Sequence, residues 1–373
     1  LLTQLQIHHI RNLEQVMLQD LARVNIFSGA NGSGKTSVLE SVHMLGMARS
    51  FRQGSTRSLI THGKQDCTVF GSTAHAGARG RLSVAVQRAL SGEVQIKLGG
   101  QTVRSVAQLV EHLPVQVINS ASFDLLAGAP LTRRQFLDWG VFHVEQRFFA
   151  EWQRFQRCLK QRNKLLRHGK LDPSELSVWT RDLAESGERI HEFRLRYFEA
   201  LAPGFRTTME RLAPSLQGLE LRYRKGWDKS LCYREALEAG AQVDMEQGYT
   251  HTGPQRADIK VTTSGYSAAE TLSRGQQKLV VCGLKLAQGM LISHARRDSC
   301  VYLVDDLPAE LDAWHCGLVC DALAELDAQV FITCVAETDL QGMWPVALKP
   351  AMFHVEQGVV SATPQGETSP LAG

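Results

Sequence analysis

Eight consecutive residues, Gly29-Ala30-Asn31-Gly32-Ser33-Gly34-Lys35-Thr36, match the pattern G-x-x-x-x-G-K-[ST] at every position. Glycines so placed let successive backbone N–H groups turn inward around a phosphate, and a helix beginning near Ser37 adds the positive end of its dipole. In such a loop Lys35 reaches the β- and γ-phosphates of a nucleotide and the Thr36 hydroxyl ligates Mg²⁺. That chemistry needs a further carboxylate at the end of a neighbouring strand. Val301-Tyr302-Leu303-Val304-Asp305-Asp306 supplies two, directly after four apolar residues. Asp305 is expected to hold Mg²⁺ through its water shell, and Asp306 to orient or deprotonate an attacking water. Two adjacent carboxylates can equally open a solvated loop; coupled to the glycine loop they predict ATP and Mg²⁺ as ligands, with Lys35, Asp305 and Asp306 as the catalytic groups.

These residues must be held by strands and helices, and the apolar pattern places them. Arg23 to Ser28 reads as a short buried strand leading into the glycine loop, and Val330 to Thr333 reads as another. Between Cys67 and Val103, alternating runs such as Leu82 to Val86 and Val94 to Leu98, with Gly99-Gly100 as a turn, predict antiparallel hairpins. From about Asp138 to Leu237 the 3.6-residue period takes over, with breaks expected at Pro173, Pro203 and Pro214. A helix from Gln276 to about Ile292 precedes the strand at Val301. The expected division is residues 1–120 as the first part of an α/β lobe, 121–247 as a helical arm lobe, and 248–373 as the rest of the α/β lobe. Phe142-His143-Val144-Glu145-Gln146 recurs as residues 353–357; five residues do not establish a duplication.

With 373 residues, 43% hydrophobic and 21% charged, the chain has the composition of a globular protein large enough for two cores. No apolar run approaches the roughly 18 residues of a membrane span and the N-terminus lacks a signal-peptide core, so a cytoplasmic protein without a membrane partner is expected. The chain opens on Leu1 rather than methionine, which implies a natural start lost or altered. The polar stretch from Ser361 to Gly373 is expected to fray. Eight scattered cysteines, with no C-x-x-C pair, read as buried thiols rather than a metal site. A net charge of +3 does not by itself imply nucleic acid, so the position of the positive charge matters more.

The segment Leu272-Ser273-Arg274-Gly275-Gln276-Gln277-Lys278, just before an apolar helix and ahead of the aspartate pair, resembles the L-S-G-G-Q signature of ABC-type ATPases. Ser273 would also serve as an ordinary helix N-cap. Glu310-Leu311-Asp312 resembles the D-loop of that class, and Thr333 stands at its switch position. Further segments narrow the likeness to the RecF family of SMC-like heads, along nearly the whole chain. They are Arg11-Asn12, Ala48-Arg49-Ser50-Phe51-Arg52, Arg133-Arg134-Gln135-Phe136-Leu137-Asp138, Leu159-Lys160-Gln161-Arg162-Asn163-Lys164-Leu165-Leu166, and Gly253-Pro254-Gln255-Arg256-Ala257-Asp258.

The resemblance implies an ABC/SMC-like P-loop ATPase head with a β-rich flank and a helical arm lobe. Nucleotide would contact Gly29, Ala30, Asn31, Gly32, Ser33, Gly34, Lys35, Thr36 and Ser37 of one subunit and Ser273, Gly275 and Gln276 of its twin, with Thr36 and Asp305 on the metal. It implies an ATP-dependent homodimer, a weak ATPase acting as a switch, duplex DNA near single-strand gaps as a partner, and a recombination mediator of the RecR type in loading a recombinase. Arg157, Lys160, Lys164 and Arg167 fall three, four and three apart, on one face of a helix whose apolar side holds Phe155, Leu159 and Leu166. A solvated basic face has the same spacing; the resemblance assigns it to DNA phosphates. The chain departs from the family pattern at Pro308-Ala309, before Glu310, and at Asn119-Ser120-Ala121-Ser122, which lacks Pro-Glu; both bear on hydrolysis rate. The energising subunit of a membrane transporter would share the loop, signature and aspartate pair, and stands as the alternative.

Overall fold

The computed structural model describes residues 1–52, 54–74, 81–167, 173–296, 300–326 and 328–363. The chain divides into two compact units, one formed by Leu1–Ser122 with Ile292–Gly373 and the other by Phe123–Leu291. The first boundary falls after Ser122, where the expected division stood at 120. The second falls at 291 rather than 247, so residues 248–291, including the signature-like segment, group with the helical unit. Periodicity returns to a mixed pattern at 248 because the strand Asp258–Thr263 pairs with Leu219–Arg224 of the helical unit.

In the first unit a six-stranded sheet runs, in spatial order, Val359–Ala362, Ala351–Glu356, Val24–Ser28, Gln329–Cys334, Val301–Val304 and Val115–Ile118. Its strands are parallel except for the C-terminal hairpin. Val24–Ser28 and Gln329–Cys334 are buried at every residue, as interior strands of a parallel sheet covered on both faces must be. The helix Lys35–Met47 follows the glycine loop and is buried along almost its whole length. It begins two residues earlier than its apolar pattern suggests, because Lys35 and Thr36 already carry helical backbone. A second six-stranded sheet, antiparallel throughout, contains Leu2–Ile10, Leu13–Leu18, Asp66–Ala74, Arg81–Ala89, Val94–Leu98 and Gln101–Val103. Leu5, Ile7, Val69 and Val86 of that sheet join Val38, Val42 and Leu45 of the helix and Leu303 and Phe331 of the parallel sheet in one core. The hairpins expected between 67 and 103 are therefore present. Ser361, expected to fray, is paired with His354 in the last strand, while residues 364–373 lie outside the described residues.

The second unit contains the helices Pro130–Val144, Phe148–Arg167 and Pro173–Leu212, and a three-stranded sheet of Leu219–Arg224, Asp258–Thr263 and Tyr266–Ser267. Pro173 opens a helix and Pro214 lies beyond the end of one, but Pro203 does not break the third helix. A proline inside a helix removes one hydrogen bond and crowds the preceding turn. Here Leu201, Phe205 and Met209, all buried, hold the chain on the same course across it. Among the ion pairs that cross this unit, Arg133 to Asp258, Arg194 to Asp138 and Arg162 to Asp244 are those of arginines held in its interior. All fall on the RecF-like segments or touch them, so much of that likeness is a buried polar frame. Seven of the eight cysteines are buried and Cys232 is exposed. Among the described residues no cluster of three metal-ligating side chains occurs.

Candidate phosphate-binding cleft

The glycine loop leaves Val24–Ser28 and enters the helix at Lys35, so it lies at the carboxyl end of the parallel sheet, where open α/β sheets form their crevices. Gly29, Gly32 and Gly34 have φ of 150°, 81° and 121°. The last two lie in the left-handed region that a side chain avoids. Gly32 is exposed and a Cβ on it would meet no atom within 4 Å, so the space beside the loop is open at that point. Lys35 is buried, and its Nζ donates to the carbonyl oxygens of Gly29 at 2.6 Å and Ala30 at 2.9 Å. The buried Ser33 Oγ has no hydrogen-bond partner among the described residues. A buried hydroxyl without a partner carries a desolvation cost that an incoming acceptor removes.

Across the cleft, Thr36 Oγ1 lies 3.0 and 3.1 Å from the two carboxylate oxygens of Asp305. Thr333, at the end of the adjacent strand and fully buried, donates from its hydroxyl to Asp305 Oδ1 at 2.9 Å and accepts the Asp306 backbone N–H at 2.8 Å. One side chain thus fixes both aspartates. Asp306 is held with φ 56°, a left-handed backbone that a non-glycine residue takes only under constraint. Burial, and next the neighbouring Asp305 charge, raise its carboxyl above the ordinary aspartate range. The Asp305 carboxylate and the Thr36 hydroxyl are hard oxygen donors of the kind that Mg²⁺ takes.

The cleft has a volume of about 410 Å³ and is lined by the loop, Thr36, Ser37, both aspartates and Thr333, and also by Arg11, Asn12, Arg52, Ser120 and Glu310. Arg11 and Asn12 were legible as a family-like pair and Arg52 as part of another, but neither had a stated role. Their placement comes from Glu40, a fully buried carboxylate in the loop helix. Arg11 donates to it from Nε at 2.9 Å and Nη2 at 2.8 Å, and Ser50 Oγ donates to the same carboxylate. Asn12 Nδ2 reaches the Ser33 carbonyl at 2.9 Å, and Ser37 Oγ donates to Asn12 Oδ1 at 3.2 Å. Glu310 ends the turn Leu307–Glu310, and the Asp312 side chain caps the next helix by accepting the His315 N–H at 3.0 Å. Ala30, Asn31 and Ser33 complete the expected loop, and Asn31 lines the cleft.

Ser273, Gly275 and Gln276 lie in the second unit, at the start of the helix Arg274–Arg296. Ser273 Oγ accepts the Gln276 N–H at 3.3 Å and Gln276 Oε1 accepts the Ser273 N–H at 2.9 Å, the reciprocal pattern of a capping box. Ser273 and Gly275 are exposed, and a Cβ on Gly275 would meet no atom within 4 Å. The ordinary N-cap role is therefore filled, and the helix tip also presents an accessible surface. On the helix Phe148–Arg167, Arg157, Lys160, Lys164 and Arg167 are exposed, whereas Phe155 and Leu166 are buried and Leu159 is half-buried. Among the described residues none of the four basic side chains takes part in an ion pair.

Comparison with known proteins bears on the same elements. Residues 1–361 match the family described as RecF/RecN/SMC N terminal domain. The chain is 50% identical over 362 residues to the DNA replication and repair protein RecF of Pseudomonas syringae pv. syringae, covering 97% of this chain and 98% of that one. It is 49% identical to the protein of the same description from Pseudomonas fluorescens, with the same coverage. Among solved structures it resembles the recombination mediator protein RecF-ATP of the RecFOR pathway, with a TM-score of 0.84 over 97% of each chain at 23% identity. It also resembles the Smc head domain from Pyrococcus furiosus, with a TM-score of 0.57 at 15% identity, over 97% of this chain and 95% of that one. The two solved structures bear on the fold and the sequence relatives on the family: this chain belongs to the RecF family of ABC/SMC-like ATPase heads.

Proposed function

We propose that the chain is an ATP-switched DNA-binding protein of recombinational repair. It binds ATP and Mg²⁺ in the cleft, pairs with a second copy when loaded, engages duplex DNA near single-strand gaps, and works with a mediator of the RecR type to load a recombinase. The observation that carries this reading is the contact of Thr36 Oγ1 with Asp305, which joins the glycine loop to the end of Val301–Val304 as a phosphate-and-metal site requires. The RecF relatives, by their description as DNA replication and repair proteins, support the biological role. They leave the transporter-subunit alternative without support.

When bound, Mg²⁺ neutralises charge on the phosphate oxygens and orients them. Thr36 and Asp305 hold the metal side of the cleft. Lys35, already aimed along the loop, exchanges its bonds to the Gly29 and Ala30 carbonyls for phosphate oxygens. Asp306 takes a proton from the attacking water, and its raised pKa suits it to that step. Ser273 and the exposed helix tip beside it contact the nucleotide held by the partner copy. The lack of Pro-Glu in Asn119-Ser120-Ala121-Ser122, and Pro308-Ala309 before Glu310, leave few groups to align the water, consistent with a slow switch. Arg157, Lys160, Lys164 and Arg167 contact phosphates without reading bases. Gel filtration and duplex-DNA retention, each with and without ATP and Mg²⁺, test the reading. A larger species and tighter DNA retention are expected only with both ligands; an unchanged elution volume and unchanged retention would overturn it.

A further inference from the structure

The last strands of the chain touch the phosphate loop from outside. Ala351–Glu356 runs parallel to Val24–Ser28, and the hairpin returns through Gln357 and Gly358, whose φ values are 48° and 84°. The Gly358 backbone N–H donates to the Ser33 carbonyl oxygen at 2.8 Å. Asn12 Nδ2 donates to the same oxygen at 2.9 Å. A Cβ on Gly358 would collide with the Asn12 carbonyl, and a Cβ on Gly29 would collide with the Val355 carbonyl. The hairpin is therefore packed backbone against backbone on the loop at Gly29 and on the turn at Asn12, with glycine required at each contact.

The peptide between Ser33 and Gly34 is planar and trans, so its carbonyl and the N–H of Gly34 point in opposite directions. Two donors on the Ser33 oxygen turn the Gly34 N–H away from them, toward the inside of the loop. Gly34 lines the cleft, with φ 121° and with Asn12 Nδ2 and Leu13 Cδ2 each 3.0 Å from where a Cβ would sit. We infer that Gly358, at the tip of the C-terminal hairpin, and Asn12 are positioning groups that aim the Gly34 N–H at a bound phosphate, so the hairpin helps to set nucleotide affinity. The inference rests on the nucleotide reading of the cleft. Gly358 is buried and Asn12 is exposed, so the Gly358 bond competes less with water and carries the larger share.

The test is equilibrium titration of the full chain with a fluorescent ATP analogue and Mg²⁺, alongside thermal unfolding without nucleotide and hydrogen exchange of the loop amides. Gly358→Ala is expected to raise Kd about tenfold, the loss of one well-placed hydrogen bond to a charged ligand, and Asn12→Ala about threefold. The double variant should fall short of the product of the two, because both groups hold one oxygen. Exchange of the loop amides should quicken in both. A brace that serves only the fold would lower the unfolding temperature and leave Kd within twofold, and that result would overturn the inference. Should Gly358→Ala fail to fold, Asn12→Asp decides: it replaces the donor by an acceptor facing the Ser33 carbonyl, and an unchanged Kd with a normal melt would count against the proposal. Absence of nucleotide binding by the unaltered chain would instead sink the function proposed for the cleft.

Discussion

Asp306 bears both a strained backbone and a raised carboxyl pKa, and one threonine hydroxyl keeps it in place. A carboxyl whose folded pKa lies above its unfolded value holds extra protons in the folded state. Its contribution is most favourable below the ordinary aspartate range and is lost as pH rises through the raised value. At neutral pH the ionised Asp306 therefore burdens the fold. Asp306→Asn is expected to melt higher than the native chain near about pH 7, with the gap closing toward about pH 4. Its ATP turnover should fall by about 10²- to 10⁴-fold, the usual contribution of a general base. Circular dichroism melts across pH, set beside phosphate-release rates, check both; a lower melt at neutral pH would contradict the sign. The aspartate pair was legible because carboxylates after an apolar run are conspicuous. Thr333 was legible as a position, but its two hydrogen bonds, donated to Asp305 and accepted from the Asp306 N–H, were not, since no sequence pattern reports which hydroxyl bridges two adjacent groups.

At the scale of elements, the helix Phe148–Arg167 shows what periodicity can and cannot separate. Arg157, Lys160, Lys164 and Arg167 are exposed, while Arg162, between them in sequence, is 2% exposed. It donates to Asp244 at 2.6 Å and to Thr250 Oγ1 at 2.6 Å. The two classes should respond differently. Arg157→Ala with Lys164→Ala is expected to leave the melt unchanged and to reduce the slope of log affinity for duplex DNA against log salt by about two. Arg162→Leu, which takes the partner from Oδ2 of a fully buried carboxylate whose Oδ1 stays bonded to His251, should destabilise by about 3 kcal/mol. DNA binding measured over a salt series, with melts of each variant, separates them; an unaltered salt slope in the double variant would remove the stripe from the DNA surface. Periodicity located the helix and its basic face, but the partner of Arg162 lies 82 positions away. The pentapeptide Phe-His-Val-Glu-Gln makes the same point: residues 142–144 end a helix, whereas 353–356 form a strand. Tertiary contacts chose between conformations that local sequence leaves equal. Pro203 is a third case, where apolar packing outweighed a helix breaker.

Across the whole molecule, the sequence carried the order of motifs and the α/β character with its helical insertion, because each motif is local. Assigning residues 248–291 to the helical unit required the pairing of Asp258–Thr263 with Leu219–Arg224, a contact between distant segments. The signature-like helix tip is thereby built on one unit and the glycine loop on the other. For a protein proposed to close around nucleotide in pairs, Ser273→Arg is expected to leave nucleotide binding within about twofold while abolishing the nucleotide-dependent dimer, since a bulky cation at the tip obstructs the partner copy. Sedimentation velocity with and without ATP, paired with a nucleotide titration, checks this; loss of binding in that variant would contradict action across the pair.

The discontinuity of the first unit also governs how the protein comes off the ribosome. The glycine loop is made well before the strands on either side of Val24–Ser28, which are Gln329–Cys334 and Ala351–Glu356. A nascent chain must keep the glycine loop and the strand before it from misassembling until those later strands arrive, so termination upstream of the hairpin formed by Ala351–Glu356 and Val359–Ala362 yields a product whose most recognisable motif has nothing to lean on.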